Sequence, residues 1–401
     1  MPIRLNGIVA ACLAIVLAAG SAIAPAPARA AHTADVTPMA PNLAPLAKAA
    51  ILMDAMTGMV LYEKNAHARL PIASVTKIPT MLLIFDAVSQ GRAHWRDFVR
   101  TSDHAASMGG SQIFLEPGER MTLHDLMKGI AIGSGNDAAV AAAEHIAGTE
   151  GGFVNMMNAR AAALGLRESH FANANGLSAP NHYSSAYDLA VLSRELLKYG
   201  SIVRFTGVYS DYLRKNTARP FWLVNTNKLV RFYPGMDGLK TGFTTEAKYC
   251  LSATAKRGNF RAIAVILGAP SSKIRNAEIS GMMNYAFAHF DTKLVYGAGQ
   301  VVALAPVLRG RFEAIGVAAT APVGVLVDKM RGLQIGRVIA EIQPVKAPVK
   351  KGQSAGQVRV LEGEKTLLAV PLAAIANVPQ VSWLEMLGRT IKRVFVLGAT
   401  R

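Results

Sequence analysis

A serine and a lysine three residues apart, Ser74 and Lys77, are the pair whose types and spacing best suit chemistry. They form the only Ser-x-x-Lys pattern in the chain and begin an apolar run, residues 78–88, that predicts a helix ending at Gly91. Residues three apart on a helix share a face, so the amine can reach the hydroxyl. A serine hydroxyl becomes a strong nucleophile when a neighbouring base takes its proton. The same pattern also fits an N-cap serine followed by a surface lysine.

Two further short motifs lie where side chains can face a cleft. Ser134-Gly135-Asn136 falls at the break between two predicted helices. Lys240-Thr241-Gly242 falls on a predicted strand, where Gly242 would leave room for the backbone of a ligand. Ser-x-x-Lys, Ser-x-Asn and Lys-Thr-Gly in this order are the signature of penicillin-binding proteins and class A β-lactamases. Three motifs in one order, each on the expected element, favour the chemical interpretation of Ser74 over the N-cap one.

The elements that must position these motifs alternate between strands and helices. Residues 49–53 and 59–62 predict a β-hairpin, and a Gly258-Asn259 turn predicts a second one. Residues 166–184 are rich in Asn, Ser, Gly and His and predict a loop. The other predicted strands are 239–244, 249–256 and 260–268, and the predicted helices are 123–132, 137–147, 153–164, 185–199 and 274–290.

The second part of the chain has a different residue pattern. From about Val301 to Leu372, short Val/Ile/Leu runs alternate with Gly, Pro and Lys, which predicts a small all-β domain joined at about residues 291–299. Residues 379–401 then predict an amphipathic helix with Trp383 on its apolar face and cations opposite. Such a helix can lie in the interface of an acidic membrane. The alternative is a terminal helix that packs on the β domain.

The N-terminus predicts export. Residues 1–30 combine Arg4, an apolar run and an Ala28-Arg29-Ala30 cleavage site, the pattern of a signal peptide. An uncleaved membrane anchor is the alternative, and both place the remaining chain outside the cytoplasm. Residues 31–42, rich in Pro, Ala and Thr, predict a linker.

Composition restricts the partners. The 401-residue chain carries a formal net charge of +17, which suits an anionic surface. The basic residues are scattered and form no nucleic-acid-binding pattern, so no nucleic-acid partner is expected. Of the two cysteines, Cys12 lies in the predicted leader and Cys250 in a strand, and the nine histidines have no metal-ligand spacing. We therefore expect no disulfide, no metal and no cofactor.

On these motifs the chain resembles the low-molecular-weight penicillin-binding proteins of the serine D-alanyl-D-alanine carboxypeptidase family. Five further stretches match the family's habits: residues 114–118, 175–177, 184–188, 225–228 and 237–239. The resemblance implies an α/β (α+β) penicillin-binding transpeptidase-like, or β-lactamase-like, domain with an antiparallel sheet flanked by helices. A small all-β domain and an amphipathic C-terminal helix would follow. With the sequence features, it divides the chain into residues 1–30, 31–42, 43–292, 299–376 and 379–401.

The expected activity is release of the terminal D-alanine from peptidoglycan stem pentapeptides, with β-lactams as acylating inhibitors. Ser74 would be the nucleophile and Lys77 the base, which requires a neutral amine although free lysine titrates near about 10.4. Burial and a nearby cation such as Lys240 would lower its pKa. The resemblance implies that Ser134 relays a proton and Asn136 orients Lys77.

The substrate contacts and the departures from the family concern the 240–248 stretch. The resemblance implies that Lys240 and Thr241 hold the substrate's terminal carboxylate. The backbone amides of Ser74 and Phe243 would hold the oxyanion. Many relatives carry His or Tyr at Phe243, and Gly is usual at Lys248, so the nearby loop geometry and substrate preference are open to change. Alternative functions are a β-lactamase, a D,D-endopeptidase and a non-catalytic binder of cell-wall glycopeptide.

Overall fold

The structure, a computed structural model, describes residues 41–388. The predicted signal peptide, most of the predicted linker and the last thirteen residues of the predicted C-terminal helix lie outside the described residues. The helices are α1 (Lys77–Ser89), α2 (Asp103–Ala106), α3 (Leu123–Lys128), α4 (Asn136–Ala147), α5 (Glu150–Ala163), α6 (Ala186–Leu197), α7 (Val203–Thr206), α8 (Leu229–Phe232) and α9 (Ser272–His289).

The strands follow the same chain order. They are β1 (Ala49–Asp54), β2 (Val60–Lys64), β3 (Phe98–Arg100), β4 (Arg120–Thr122), β5 (Ser210–Leu213), β6 (Phe221–Val224), β7 (Met236–Thr244), β8 (Lys248–Arg257), β9 (Phe260–Ala269), β10 (Phe290–Tyr296), β11 (Val301–Leu308), β12 (Ala314–Ala319), β13 (Val323–Asp328), β14 (Leu333–Ile335), β15 (Arg337–Ile342), β16 (Val345–Lys346), β17 (Ser354–Glu362) and β18 (Lys365–Ala374).

A five-stranded antiparallel sheet in the order β2-β1-β9-β8-β7 forms the middle layer of the first part of the chain. Alternate residues of β9 enter two different cores. Ile263, Val265 and Leu267 pack with α1 and α4 to α6 on one face, whereas Ala262 and Ile266 pack with α9 on the other. Because both faces are covered, β9 is a nearly continuous apolar run, and residues 250–255 of β8 are all buried.

Helix α1 runs through the middle of the helical layer. Eleven of its thirteen residues, Lys77 to Ala87, are buried, which leaves no amphipathic pattern along it. The neighbouring α4 is rich in alanine, and its residues 136–143 are all buried. Small side chains let α4 approach α1 closely, so the start of α1 and the start of α4 can share one cleft.

The predicted helix over residues 123–132 changes from α to π geometry in its second half. α3 ends at Lys128, and a π-helical turn, Gly129–Gly133, follows it. The amide of Gly135 donates to the carbonyl of Gly129 (3.0 Å), which closes this wider turn. Ser134 then adopts a left-handed backbone (φ +64°) and redirects the chain into α4. A wider turn of this kind often marks a functional site.

Two small two-stranded antiparallel sheets, β3-β4 and β5-β6, were not predicted from the sequence. Each strand has only three or four residues and is partly exposed, so alternation over so short a length gives little signal. The loop predicted over residues 166–184 is confirmed, because it contains only isolated bridges, such as His170 with Tyr183.

The chain from residue 290 to 381 is all-β. One sheet has the order β10-β13-β14 and the other β15-β17-β18-β12-β11-β16, around a core dominated by valine. The structure has strand β10 where the sequence predicted a joint at residues 291–299. Residues 383–388 are helical, with Trp383 and Leu384 exposed. Within residues 41–388, no helix is long and apolar enough to cross a bilayer.

Candidate active site

Ser74 lies on a tight backbone turn that two glycines allow. The 3₁₀ turn Ala73–Thr76 precedes α1, and the buried Ala73 has a left-handed backbone (φ +47°). A Cβ at Gly176 (φ +88°) would lie 2.1 Å from the Ala73 carbonyl oxygen. A Cβ at Gly242 would lie 2.7 Å from the Ile72 carbonyl oxygen. The turn is therefore held between β7 and the 172–176 loop by contacts that no larger residue permits.

The structure gives Gly242 a packing role in addition to the predicted one. Its missing side chain makes room for the protein's own backbone at Ile72 and Ser74. The hypothetical Cβ would also lie 3.1 Å from the Ser74 amide nitrogen, so strand β7 borders the nucleophile directly.

Lys77 is fully buried and makes three short polar contacts. Its Nζ lies 2.9 Å from Ser74 Oγ and donates to Asn136 Oδ1 (2.5 Å) and to the carbonyl of Asn175 (2.6 Å). Burial, reinforced by the charge of Lys240 and opposed by that of Asp137, holds the pKa of Lys77 well below its usual value. The amine can therefore lose its proton beside the hydroxyl at a pH where a surface lysine cannot.

Asn136 connects Lys77 to the 109–111 segment. Its side-chain amide donates to the Gly109 carbonyl (2.7 Å), and its backbone amide donates to the Ser111 carbonyl (2.7 Å). Ser134 lies two residues earlier, at the left-handed bend, and is 4% exposed. The second motif therefore reaches the Ser74–Lys77 pair through Asn136.

The third motif brings a second buried amine to the cleft. Lys240 is buried, and its Nζ donates to the carbonyl of Thr241 (2.8 Å). Burial, together with the charge of Arg275, lowers the pKa of Lys240 to about 7. Arg275 is itself buried, and its guanidinium donates to a neutral amide, Asn276 Oδ1. Two buried cations side by side favour an anionic ligand.

A single threonine joins the second and third motifs. Thr241 Oγ1 donates to Thr226 Oγ1 (2.7 Å), and the Thr226 amide donates to the carbonyl of Ile132 (3.2 Å), just before Ser134. Phe243 follows on β7 with an exposed ring, 4.4 Å from the ring of Tyr249. Lys248 has a left-handed backbone (φ +57°), the conformation that glycine supplies at low cost.

Four groups that contribute to the site were not predicted individually from the sequence. They are the carbonyl of Asn175, the carboxylate of Asp137, the hydroxyl of Thr226 and the guanidinium of Arg275. Asp137 is buried and accepts from the amides of Ile113 and Leu115 (3.0 Å each to Oδ2), so it fixes the 109–115 segment against α4. Asn175 and Thr226 lie in stretches that carried the family resemblance, which was the available signal.

The described residues favour acyl transfer by a serine. Burial raises the pKa of the Cys250 thiol to about 11, so this cysteine is a poor nucleophile. A hydroxyl next to a buried amine of lowered pKa is the arrangement expected of an activated serine.

Comparison with known proteins decides the family. Residues 35–271 match the Peptidase S11 profile, D-alanyl-D-alanine carboxypeptidase, and residues 290–380 match the profile of the C-terminal domain of penicillin-binding protein 5. The chain belongs to the D-alanyl-D-alanine carboxypeptidase family. It is 50% identical over 353 residues to the D-alanyl-D-alanine carboxypeptidase DacF of Bacillus subtilis (strain 168), covering 87% of this chain and 90% of that protein.

Solved structures of the family agree. Penicillin-binding protein 5 of Haemophilus influenzae superposes with a TM-score of 0.64 at 29% identity, covering 84% of this chain and 98% of that one. Penicillin-binding protein D2 of Listeria monocytogenes, in its ampicillin-bound form, superposes with a TM-score of 0.56 at 30% identity, covering 62% of this chain and all of that one. The predicted family, fold class and enzyme class are confirmed. The protein is a serine-type D-alanyl-D-alanine carboxypeptidase with a role in peptidoglycan metabolism.

Proposed function

We propose that the enzyme removes the terminal D-alanine from peptidoglycan stem pentapeptides through an acyl-enzyme on Ser74. The observation that carries the proposal is the 2.9 Å separation of the fully buried Lys77 Nζ from Ser74 Oγ. The function rests on that pair, because the other groups position it or hold the substrate.

The contacts of Lys77 suit a neutral amine. A neutral amine has two hydrogens and one lone pair, and two of its three neighbours, Asn136 Oδ1 and the Asn175 carbonyl oxygen, can only accept. Both hydrogens are then used, and the lone pair points at the remaining neighbour, Ser74 Oγ. The Ser74 hydroxyl donates to that lone pair, so Lys77 is the general base that takes its proton during attack.

The reaction divides into two steps. Ser74 Oγ adds to the carbonyl carbon of the bond between the two D-alanines and loses its proton to Lys77. The amides of Ser74 and Phe243 hold the oxyanion, each such donor contributing about 3 kcal/mol in other enzymes. The leaving amine takes a proton by way of Ser134 and departs as D-alanine. Water then hydrolyses the ester and restores the Ser74 hydroxyl.

Lys240 and Thr241 bind the terminal carboxylate of the substrate. With a pKa of about 7, Lys240 is only partly protonated near neutrality in the free enzyme. A carboxylate next to it stabilises the charged form and raises that pKa, so binding of the substrate draws a proton onto Lys240. This gives specificity for a free C-terminus, because a neutral end group does not offset the burial of the two cations.

The same nucleophile accounts for inhibition by β-lactams. The strained amide of a β-lactam meets Ser74 in place of the peptide bond and leaves an acyl-enzyme. The ampicillin-bound form of the Listeria monocytogenes relative supports this proposal.

The enzyme acts outside the cytoplasm, at the membrane surface. The leader in residues 1–30 supports export, and the amphipathic pattern of residues 379–401 supports peripheral attachment through the C-terminal helix.

The test is release of D-alanine from a peptide that ends in D-Ala-D-Ala. The wild-type enzyme is expected to release it, and Ser74→Ala is expected to lose at least about 10³-fold, because residual catalysis by binding groups alone is small. Ser210→Ala, at an exposed strand end, is the matched control and should not change the rate. Turnover by Ser74→Ala would refute Ser74 as the nucleophile.

A further inference from the structure

A buried histidine bridges the two backbone segments that meet at Ser74. His182 is 8% exposed and lies in the 166–184 loop. The amide of Ala172 donates to its Nδ1 (3.0 Å), and its Nε2 lies 2.7 Å from Thr76 Oγ1. One imidazole therefore touches both the loop that contains Asn175 and the turn that contains Ser74.

The direction of each hydrogen bond follows from its donors. A backbone N–H can only donate, so Nδ1 must be the unprotonated nitrogen and Nε2 must carry the hydrogen. Nε2–H then donates to Thr76 Oγ1, and the Thr76 hydroxyl donates its own hydrogen to the Ala73 carbonyl (2.7 Å). The bonds run in one direction from Ala172 through His182 and Thr76 to Ala73, and each hydrogen is used.

The chain of bonds ends at the strained residue. Ala73 has φ +47°, a conformation that costs a residue with a side chain about 1–2 kcal/mol, so surrounding contacts must hold it. Its carbonyl is the group that Thr76 fixes, and the next residue is Ser74.

The other end of the chain fixes the acceptor for Lys77. Ala172 is three residues before Asn175, whose carbonyl accepts from Lys77 Nζ (2.6 Å). Thr80 Oγ1 donates to the intervening Ala174 carbonyl (2.6 Å). A shift of His182 would therefore change the distance between the nucleophile and the acceptor that orients its base.

We propose that His182 and Thr76 act as one positioning unit that sets the separation of Ser74 from the Asn175 carbonyl and thereby the alignment of Lys77. This inference rests on the proposed role of Ser74 and Lys77. The unit touches no substrate atom. Its effect is on the rate of attack, with little effect on the affinity of the first, non-covalent complex.

Two conservative replacements of His182 separate its two hydrogen bonds. An asparagine places an acceptor near the Nδ1 position, so His182→Asn keeps the bond from Ala172 and loses the one to Thr76. A glutamine places an amide near the Nε2 position, so His182→Gln keeps a donor toward Thr76. His170→Asn is the matched control, because His170 lies in the same loop and its Nδ1 contacts the exposed Asn181 carbonyl.

The measurement is the acylation of the full-length enzyme by a chromogenic cephalosporin in stopped flow, which gives the limiting rate and the dissociation constant separately. His182→Asn and Thr76→Val are each expected to lower the limiting rate about tenfold, the effect of one misaligned hydrogen bond, with an unchanged dissociation constant. His182→Gln and Thr76→Ser should stay within about threefold of wild type. The double variant His182→Asn/Thr76→Val should be no slower than the slower single variant.

The outcomes distinguish the inference from the function it rests on. A wild-type enzyme that forms no acyl-enzyme would overturn the proposed function. A wild-type enzyme that acylates while His182→Asn matches it would overturn only the positioning unit. Additive losses in the double variant, or equal losses in His182→Gln and His182→Asn, would overturn it too. If His182→Asn does not fold, the pair Thr76→Val and Thr76→Ser decides, because a fall in rate for valine alone supports the unit and equal rates contradict it.

Discussion

Replacement of Gly176 by alanine should disable the enzyme by displacing the backbone of its nucleophile. A Cβ added to this residue would lie 2.1 Å from the Ala73 carbonyl oxygen, 2.5 Å from the Ala73 carbonyl carbon and 2.9 Å from the Ser74 amide nitrogen. All three are backbone atoms, so no side-chain rotation can relieve the overlap.

The size of the effect follows from those distances. Ordinary contact between such atoms needs a separation about 1 Å larger, so either the 73–74 turn or the 175–176 loop must move by about that amount. A misplacement of about 1 Å at a reacting group costs about 10²-fold in rate. The positive φ of Gly176 (+88°) adds about 1–2 kcal/mol of backbone strain in alanine.

Gly165→Ala is the control that separates strain from displacement. Gly165 also has a positive φ (+73°), but nothing lies within 4 Å of its hypothetical Cβ. Gly165→Ala should lose about 1–2 kcal/mol of unfolding free energy in urea, and Gly176→Ala should lose more than that. Only Gly176→Ala should lower the rate of β-lactam acylation about 10²-fold. A Gly176→Ala enzyme that folds and acylates like Gly165→Ala would refute the close-packed turn.

Three further predictions concern other parts of the chain. Lys248→Gly should raise the unfolding free energy by about 0.5–1 kcal/mol in urea, because relief of the left-handed strain exceeds the extra entropy of glycine; a loss of stability would contradict it. Burial, reinforced by the charge of His170, lowers the pKa of His182 to about 4, below the ordinary 6.5. The neutral ring therefore contributes its full stabilisation above pH 6.5. The unfolding free energy falls by about 3 kcal/mol as pH falls from 6.5 to 4. In urea unfolding, the unfolding free energy of His182→Gln should fall less than that of wild type over this pH range. Equal losses would contradict the lowered pKa of His182. A chain that ends at Ser382 keeps the backbone hydrogen bonds of residues 378–381 to residues 309–311 and 349, so it should keep its activity. It should no longer sediment with membranes, and continued sedimentation with them would contradict the proposed anchor.

The parts of the fold that the sequence predicted share one property: their local pattern and their packing agree. Strands β8 and β9 are buried on both faces and meet at Gly258-Asn259, so residue pattern and turn chemistry indicated the same hairpin. Ser74 and Lys77 were predicted as a pair because one helical turn alone brings them together.

The parts that were missed depend on contacts between distant segments. The π-helical turn at residues 129–133 has no pattern of its own and is held by packing against Ile113, which lies 3.0 Å from a hypothetical Cβ on Gly129. The acceptor for Lys77 is the backbone carbonyl of Asn175, 98 residues away, and any residue type supplies a carbonyl. The packing role of Gly242 was not predicted, because the sequence does not show that Ile72 packs against it.

The central claim is that Ser74 is the nucleophile of this cleft, and mapping the site of covalent labelling tests it most directly. The full-length enzyme is incubated with benzylpenicillin, digested, and sequenced by tandem mass spectrometry. We expect one penicilloyl adduct, on Ser74, in the wild-type enzyme and no adduct in Ser74→Ala. An adduct on any other residue, or the same adduct yield in Ser74→Ala, would contradict it.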